Sequence, residues 1–188
     1  DSHFHGSQFL TEVQGGSDVG ANAVIATPDK DGWWRITGEK WFCSVADAQL
    51  FLVTARPEDG REGTKGLMAF AVPRTLEDGR PNGFALRRLK DKLGDRSNAS
   101  SEVELRGAHG WMVGEEGRGV PAIIEMVAMT RFDCMIGSSG GQRQVVAQAV
   151  HHAANRAAFG ETLLDQPLMR NVIADLQLEV EGSVAMTM

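Results

Sequence analysis

A change of period near residue 114 sets the limits on what this chain can fold into. Up to Leu105 the apolar residues come in short runs, Ala23 to Ala26, Trp33 to Ile36, Leu50 to Ala55, Leu67 to Val72 and Val103 to Leu105, with turn-forming residues between them. That is the pattern of β-strands. Pro28, Asp29, Asp31 and Gly32 separate two of the runs as a hairpin turn would, and Glu58-Asp59-Gly60 and Asp78-Gly79 mark exposed turns. Past the glycine-rich loop Gly114 to Gly119 only Pro121 interrupts the chain before Phe159, and proline suits a first helical turn, so one long helix is predicted from Val120. A second, amphipathic helix starts at Pro167, with Leu168, Met169, Val172, Ile173, Leu176, Val180 and Val184 mostly three and four apart. The expected fold class is α+β and multi-domain: a lead over 1–8, a small all-β barrel or sandwich over 9–112, and helices over 113–188.

The predicted helices raise a packing problem. Gly137, Ser138, Ser139, Gly140 and Gly141 lower the propensity of the first helix but let another backbone come close, and close helix packing is expected there. Two helices cannot close a bundle alone, so their apolar stripes must meet further segments of the chain or another subunit. The chain begins at Asp1 rather than Met, and Leu178 to Met188 is helix-like without a capping Gly or Pro, so it reads as a piece of a longer protein.

Charge and cysteine usage narrow the function. The net charge is -6 and no basic run exceeds Arg87-Arg88, which opposes a general attraction to nucleic acid. Cys43 and Cys134 stand far apart with no CxxC pattern, and His3, His5, His151 and His152 lack partners at metal-ligand spacing, so no metal is expected and the thiols are expected to be reduced. There is no apolar run near the roughly 18 residues of a membrane span and no signal-peptide pattern, and a cytoplasmic protein is expected.

Two segments carry the chemistry. In TEVQGGSDVGAN, Thr11 to Asn22, the hydroxyls of Thr11 and Ser17 and the amides around Gly15 and Gly16 can donate to carbonyl or phosphate oxygens, and the glycines let a ligand approach. By itself this stretch is equally a polar Gly-Gly turn. In GEKWFCS, Gly38 to Ser44, Trp41 and Phe42 offer flat faces and Ser44 a hydroxyl. On a strand residues 42 and 44 point to one side, so Phe42 could stack on a ring whose edge Ser44 hydrogen-bonds. By itself this is equally an ordinary core strand. Together they suit a planar, hydrogen-bonding heterocycle such as a flavin.

In this order and spacing the two segments resemble the TEP-x-x-GSD-type and W-I-T/S-type flavin motifs of the acyl-CoA dehydrogenase flavoproteins. The likeness continues through GRGV at Gly117 to Val120, Thr130-Arg131, and R-x-x-FG at Arg156 to Gly160. KWFCS, the run Arg88 to Glu104, MTRFDC and QPLMR are similar to the AidB-type, alkylation-response branch. The resemblance implies a middle β-barrel followed by the long helices of an incomplete C-terminal four-helix bundle, FAD as cofactor, and an oxidoreductase acting on CH-CH groups of acyl-CoA-like substrates. It implies contacts to the isoalloxazine and adjoining phosphate from Leu10, Thr11, Gly16 and Ser17, and to the ring's other side from Phe42, Cys43 and Ser44. Arg156 would reach the FAD pyrophosphate of a neighbouring subunit, where a charged fork suits phosphate. Arg131 would lie on the substrate side, and a homotetrameric dimer of dimers is implied.

The chain also departs from the pattern. Ala128 replaces an acidic residue often found three positions before Arg131, and Gln166 comes one residue earlier than the usual glutamine. Most members supply the catalytic glutamate beyond this chain, some just before the arginine matching Arg131, where Thr130 stands; the catalytic base is therefore unknown. The fragment alone is expected to be inactive. The competing reading is a protective, DNA-associated flavoprotein with little turnover, any DNA contact coming from regions outside this fragment.

Overall fold

Five strands of the first part of the chain close on themselves. A computed structural model describes residues 3–188, so residues 1 and 2 of the predicted lead lie outside the described residues. The strands are β1 (Gly6–Phe9), β2 (Ile25–Pro28), β3 (Trp33–Cys43), β4 (Leu50–Pro57), β5 (Met68–Pro73), β6 (Phe84–Leu89) and β7 (Ser101–Val113). β4 pairs in parallel with β2; β2 with β3, β3 with β7, β7 with β5 and β5 with β4 pair antiparallel, which returns the sheet to its start. Closure leaves few unpaired edges. The other two strands share edges: β1 takes Leu50–Val53 of β4 before β2 takes Arg56, and β6 takes Ser101–Leu105 of β7 before β5 takes Trp111.

Alternation places one face of each strand in a common core. Ile36 of β3, Phe51, Val53 and Ala55 of β4, Phe70 and Val72 of β5, and Val103 and Leu105 of β7 are fully buried together with Phe9. The rings of Phe9, Phe51 and Phe84 form a stacked triangle, Phe51 lying 4.6 Å from Phe9 and 4.8 Å from Phe84, and Phe9 6.3 Å from Phe84. Three expectations need correction. The lead ends in β1, whose sequence is polar apart from Phe9; β6 was not expected, because FALRRL does not alternate; and β7 runs for 13 residues rather than Val103 to Leu105 alone. Glu102 of β7 turns away from water. It is buried, with Arg88 at 2.6 Å and Lys90 at 3.3 Å.

The helical part follows as barrel-then-helices, the architecture expected from the change of period. Helix α1 (Gly119–Asn155) enters the barrel unit at its first turn, where the Gly119 N–H donates to Leu67 O at 3.0 Å and Ile123 is buried. The chain divides into two units, at Glu125/Met126, so most of α1 belongs to the second. α1 ends four residues before Phe159, because Phe159 (φ 57°) and Gly160 (φ 91°) turn the short hairpin β8 (Ala157–Ala158) and β9 (Glu161–Thr162). Helix α2 (Pro167–Thr187) begins at the expected proline. The close approach expected at Gly137, Gly140 and Gly141 is not made by any described residue: nothing stands within 4 Å of a Cβ at these positions. Met129, Phe132, Met135, Ile136 and Val145 of α1 and Leu168, Val172 and Leu178 of α2 remain exposed. Among the described residues no helix is long and apolar enough to cross a membrane.

Candidate functional site

The loop between β1 and β2 is organised by one carboxylate. Glu12 accepts from the N–H of Ala23 at 2.6 Å, from the N–H of Val24 at 3.3 Å and from Gln14 Nε2 at 2.9 Å, and pairs with Lys40 Nζ at 2.7 Å. The pair is dry, the two side chains being 3% and 0% exposed. Lys40 also donates to Thr54 Oγ1 at 3.3 Å and Leu10 O at 3.4 Å. Burial pushes the Lys40 ammonium below its ordinary value, and the Glu12 carboxylate acts against that shift. A desolvated charge is retained only where it is paired and hydrogen-bonded. Sequence reasoning missed both residues, although a signal was present: Lys40 has the same strand parity as the buried Ile36, and an inward lysine requires a carboxylate.

Around this pair the two motifs meet. The Trp41 N–H donates to Thr11 O at 2.8 Å, joining the end of β3 to the loop, while Asn22 Nδ2 donates to Leu10 O at 2.7 Å. Gly16 lies against Thr11, and a Cβ there would stand 3.0 Å from Thr11 Oγ1. Leu10 and Thr11 are half-buried, and Gly16 and Ser17 are exposed. Among the described residues no protein group is hydrogen-bonded to the hydroxyls of Thr11 and Ser17 or to the N–H groups of Gly16 and Ser17. This cluster of free donors, kept open by a glycine, suits the carbonyl and phosphate oxygens of FAD.

In the second motif the alternation expected through residues 42 to 44 breaks. The register of β3 on β7 slips between Lys40 and Cys43, Phe42 adopts φ 55°, the strand ends at Cys43, and Val45 adopts φ 49°. Phe42 and Ser44 are thus not successive residues of one strand face. The bulge leaves Phe42 60% exposed. Two left-handed non-glycine residues within four positions are costly, and such strain collects at functional sites. Ser44 is half-buried; its Oγ lies 3.1 Å from Ser100 Oγ, and its carbonyl accepts from the Ser7 hydroxyl.

Cys43 turns its thiol into the barrel core, which leaves only its main chain available to a ligand. Burial pushes the thiol up from 9.0 to about 12. Cys43 should therefore resist alkylation at mildly alkaline pH until the protein is unfolded, as mass spectrometry of trapped thiols would record. A thiol raised on folding stabilises the fold below 9.0, and that contribution is lost as pH rises towards about 12, which a pH series of denaturation midpoints would follow.

A cation is held beside Phe42. Lys90 Nζ lies 3.6 Å from the Trp41 ring centroid and 4.4 Å from that of Phe42, the two rings meeting edge-on at 83°. Burial would raise the pKa of the Glu102 carboxyl, but the hydrogen bonds from Arg88 and Lys90 outweigh it and hold the group below the usual carboxylate range. Beyond Lys90 the loop carries the pairs Asp91–Arg96, at 2.9 Å, and Lys92–Asp95, at 3.5 Å. A larger cleft of 940 Å³, lined by Phe4, Leu50, Arg74, Phe84 and Leu86 among others, contains none of the motif residues.

Arg131 and Arg156 both belong to the second unit and are exposed. Arg131 is within α1 and Arg156 just beyond its end, roughly seven helical turns later. Thr130 uses its hydroxyl on Met126 O, at 3.4 Å, one turn earlier in the helix. Among the described residues no group of three His, Cys, Asp or Glu side chains could hold a metal ion.

Comparison with known proteins extends this geometry. Residues 7–108 match the acyl-CoA dehydrogenase middle domain and residues 117–188 the acyl-CoA dehydrogenase C-terminal domain. The chain is 47% identical over 177 residues to AidB of Escherichia coli (strain K12), covering 94% of this chain and 32% of that protein. The crystal structure of Caenorhabditis elegans ACDH-11 in complex with C11-CoA superposes with a TM-score of 0.91 at 33% identity, covering 98% of this chain and 32% of that one. Butyryl-CoA dehydrogenase from Megasphaera elsdenii gives a TM-score of 0.85 at 27% identity, covering 98% and 48%. The chain spans about a third of the length of two curated relatives, AidB and acyl-CoA dehydrogenase family member 11 of Caenorhabditis elegans.

Proposed function

The chain belongs to the acyl-CoA dehydrogenase family, and from that premise we propose that the full-length protein is an FAD-dependent oxidoreductase that oxidises the Cα–Cβ bond of an acyl-CoA-like thioester. The observation that carries this reading is the Trp41–Thr11 main-chain bond, because it brings the free donors of the first motif beside the aromatic residues of the second. When bound, FAD supplies the acceptor for a hydride from Cβ. The chain's own residues bind and orient. Thr11 presents its hydroxyl near the reactive edge, Leu10 borders the ring, and the Gly16 and Ser17 amides meet phosphate. Phe42 covers the ring's other side and excludes water, with Ser44 hydrogen-bonding there and Cys43 contributing main chain only. Arg156 takes the pyrophosphate of a neighbouring subunit with a permanently charged fork. Arg131 faces the substrate.

The base that takes the Cα proton comes from a part of the protein outside this chain, because Thr130 cannot serve. Apart from Arg156, the cofactor residues lie in a β-domain over 9–112, and the segment 113–188 begins the helical domain. The assembly is a cytoplasmic dimer of dimers in which the exposed stripes of α1 and α2 are covered. DNA is not a partner of this segment, whose charge is -6.

A visible spectrum of the purified full-length protein, recorded anaerobically with a panel of acyl-CoAs, tests the reading. Bands near about 450 nm that bleach with one thioester are expected, since they report reduction of a bound flavin. Bands that no thioester bleaches would replace turnover by the protective, DNA-associated alternative. No bands at all would overturn the cofactor.

A further inference from the structure

The Lys90 ammonium stands against the ring to which the proposed function gives the task of covering the flavin. Its side chain is only 11% exposed, so water screens its charge poorly. Several contacts fix it. The ammonium lies 3.6 Å from the Trp41 centroid and 4.4 Å from that of Phe42, it shares Glu102 with Arg88, and the Lys90 main-chain N–H donates to Ser100 O at 2.8 Å. Two cations and one carboxylate leave one positive charge uncompensated. Of the two cations Arg88 is the more exposed, at 67%, and lies farther from the Trp41 ring, at 5.9 Å. The uncompensated charge therefore acts chiefly from Lys90.

We infer that Lys90 is a positioning residue that sets the redox poise of the cofactor: the cation held behind Trp41 and Phe42 favours the reduced, more negative flavin. The inference rests on the proposed function, in which FAD lies against Phe42. In that oxidation a proton leaves Cα for the base and a hydride leaves Cβ for the flavin, so the Cα–Cβ single bond becomes double. The flavin gains two electrons and one proton, and hence one negative charge. A fixed cation close by lowers the energy of that state more than that of the oxidised one. Glu102 opposes it from the same cluster. The two residues therefore have opposite signs of effect, which distinguishes charge from mere loss of packing.

The experiment is a dithionite titration of the full-length protein against a reference dye, following the flavin bands in the parent and in Lys90→Gln, Lys90→Arg and Glu102→Gln. The midpoint potential is expected to fall in K90Q, to stay near the parent in K90R and to rise in E102Q. A K90Q potential equal to the parent's, or shifts of the same sign in K90Q and E102Q, would overturn the inference and leave the flavin reading intact. If K90Q does not fold, E102Q decides by itself, and an unchanged or lowered potential there overturns the inference. A parent protein without flavin bands would overturn both.

Discussion

Lys40→Met in the full-length protein is expected to cost about 3–5 kcal/mol of stability, the usual penalty for removing one partner of a buried ion pair, and to strip the protein of flavin. The cost arises from what remains. Glu12 would keep its carboxylate in a site 3% exposed with its cation gone, and two further Lys40 contacts, to Thr54 Oγ1 and Leu10 O, would be lost with it. Flavin binding should fail for a separate reason. The Ala23 and Val24 amides, Gln14 and the carbonyl of Leu10 are all gathered by this pair, and between them they set where Thr11 and Gly16 stand. Denaturant midpoints and the flavin-to-protein absorbance ratio would check the two effects. The double variant Glu12→Leu/Lys40→Met should lose less stability than the sum of the single variants, because no orphaned charge remains. A fully additive double variant would show that the two residues act independently.

Gly119→Ala should destabilise the barrel unit by about 1–3 kcal/mol or more, as overpacking of a filled site does. In an ordinary helical position the same change gains up to about 1 kcal/mol, so the sign alone is informative. A Cβ at residue 119 would run into Met68 C and lie 2.6 Å from Met68 Cα and 2.7 Å from Ala69 N. These are backbone atoms of the β4–β5 hairpin, which cannot turn aside as a flexible side chain would. The Gly119 N–H bond to Leu67 O holds the first turn of α1 at that distance. A raised or unchanged melting temperature in G119A would show that α1 can move off the barrel without loss.

Much of the fold was legible in the sequence because it depends on local signals. Pro28 to Gly32 closes the β2–β3 hairpin, Leu50 to Ala55 is an apolar run of strand length that falls within β4, and Pro167 opens α2. What could not be read depends on partners distant in sequence. β1 is a strand because Gly6–Phe9 lies beside Leu50–Val53, and β6 is one because its arginines meet Glu39, Glu102 and Glu104 across the sheet. The motif residues were legible as residue types, but their arrangement was not. The bulge at Phe42 breaks the alternation that periodicity assumes, and the Glu12–Lys40 pair joins residues 28 apart. In the second unit, the hairpin that ends α1 turns on a phenylalanine with positive φ, a conformation no propensity anticipates.

The closed ring of strands also bears on the order in which the chain is made. β3 finds its antiparallel neighbour in Ser101–Val113, some seventy residues later, and that same segment receives β5 and β6. While the ribosome is still delivering residues before 101, only the β2–β3 and β4–β5 hairpins can form from near neighbours, each with an edge open to any passing strand. Pairings so distant in sequence are slow to form, and the nascent chain must wait for its last strand before it can bury Phe51 and Phe70. During synthesis, the barrel's open edges and apolar core stay exposed until Ser101–Val113 has emerged.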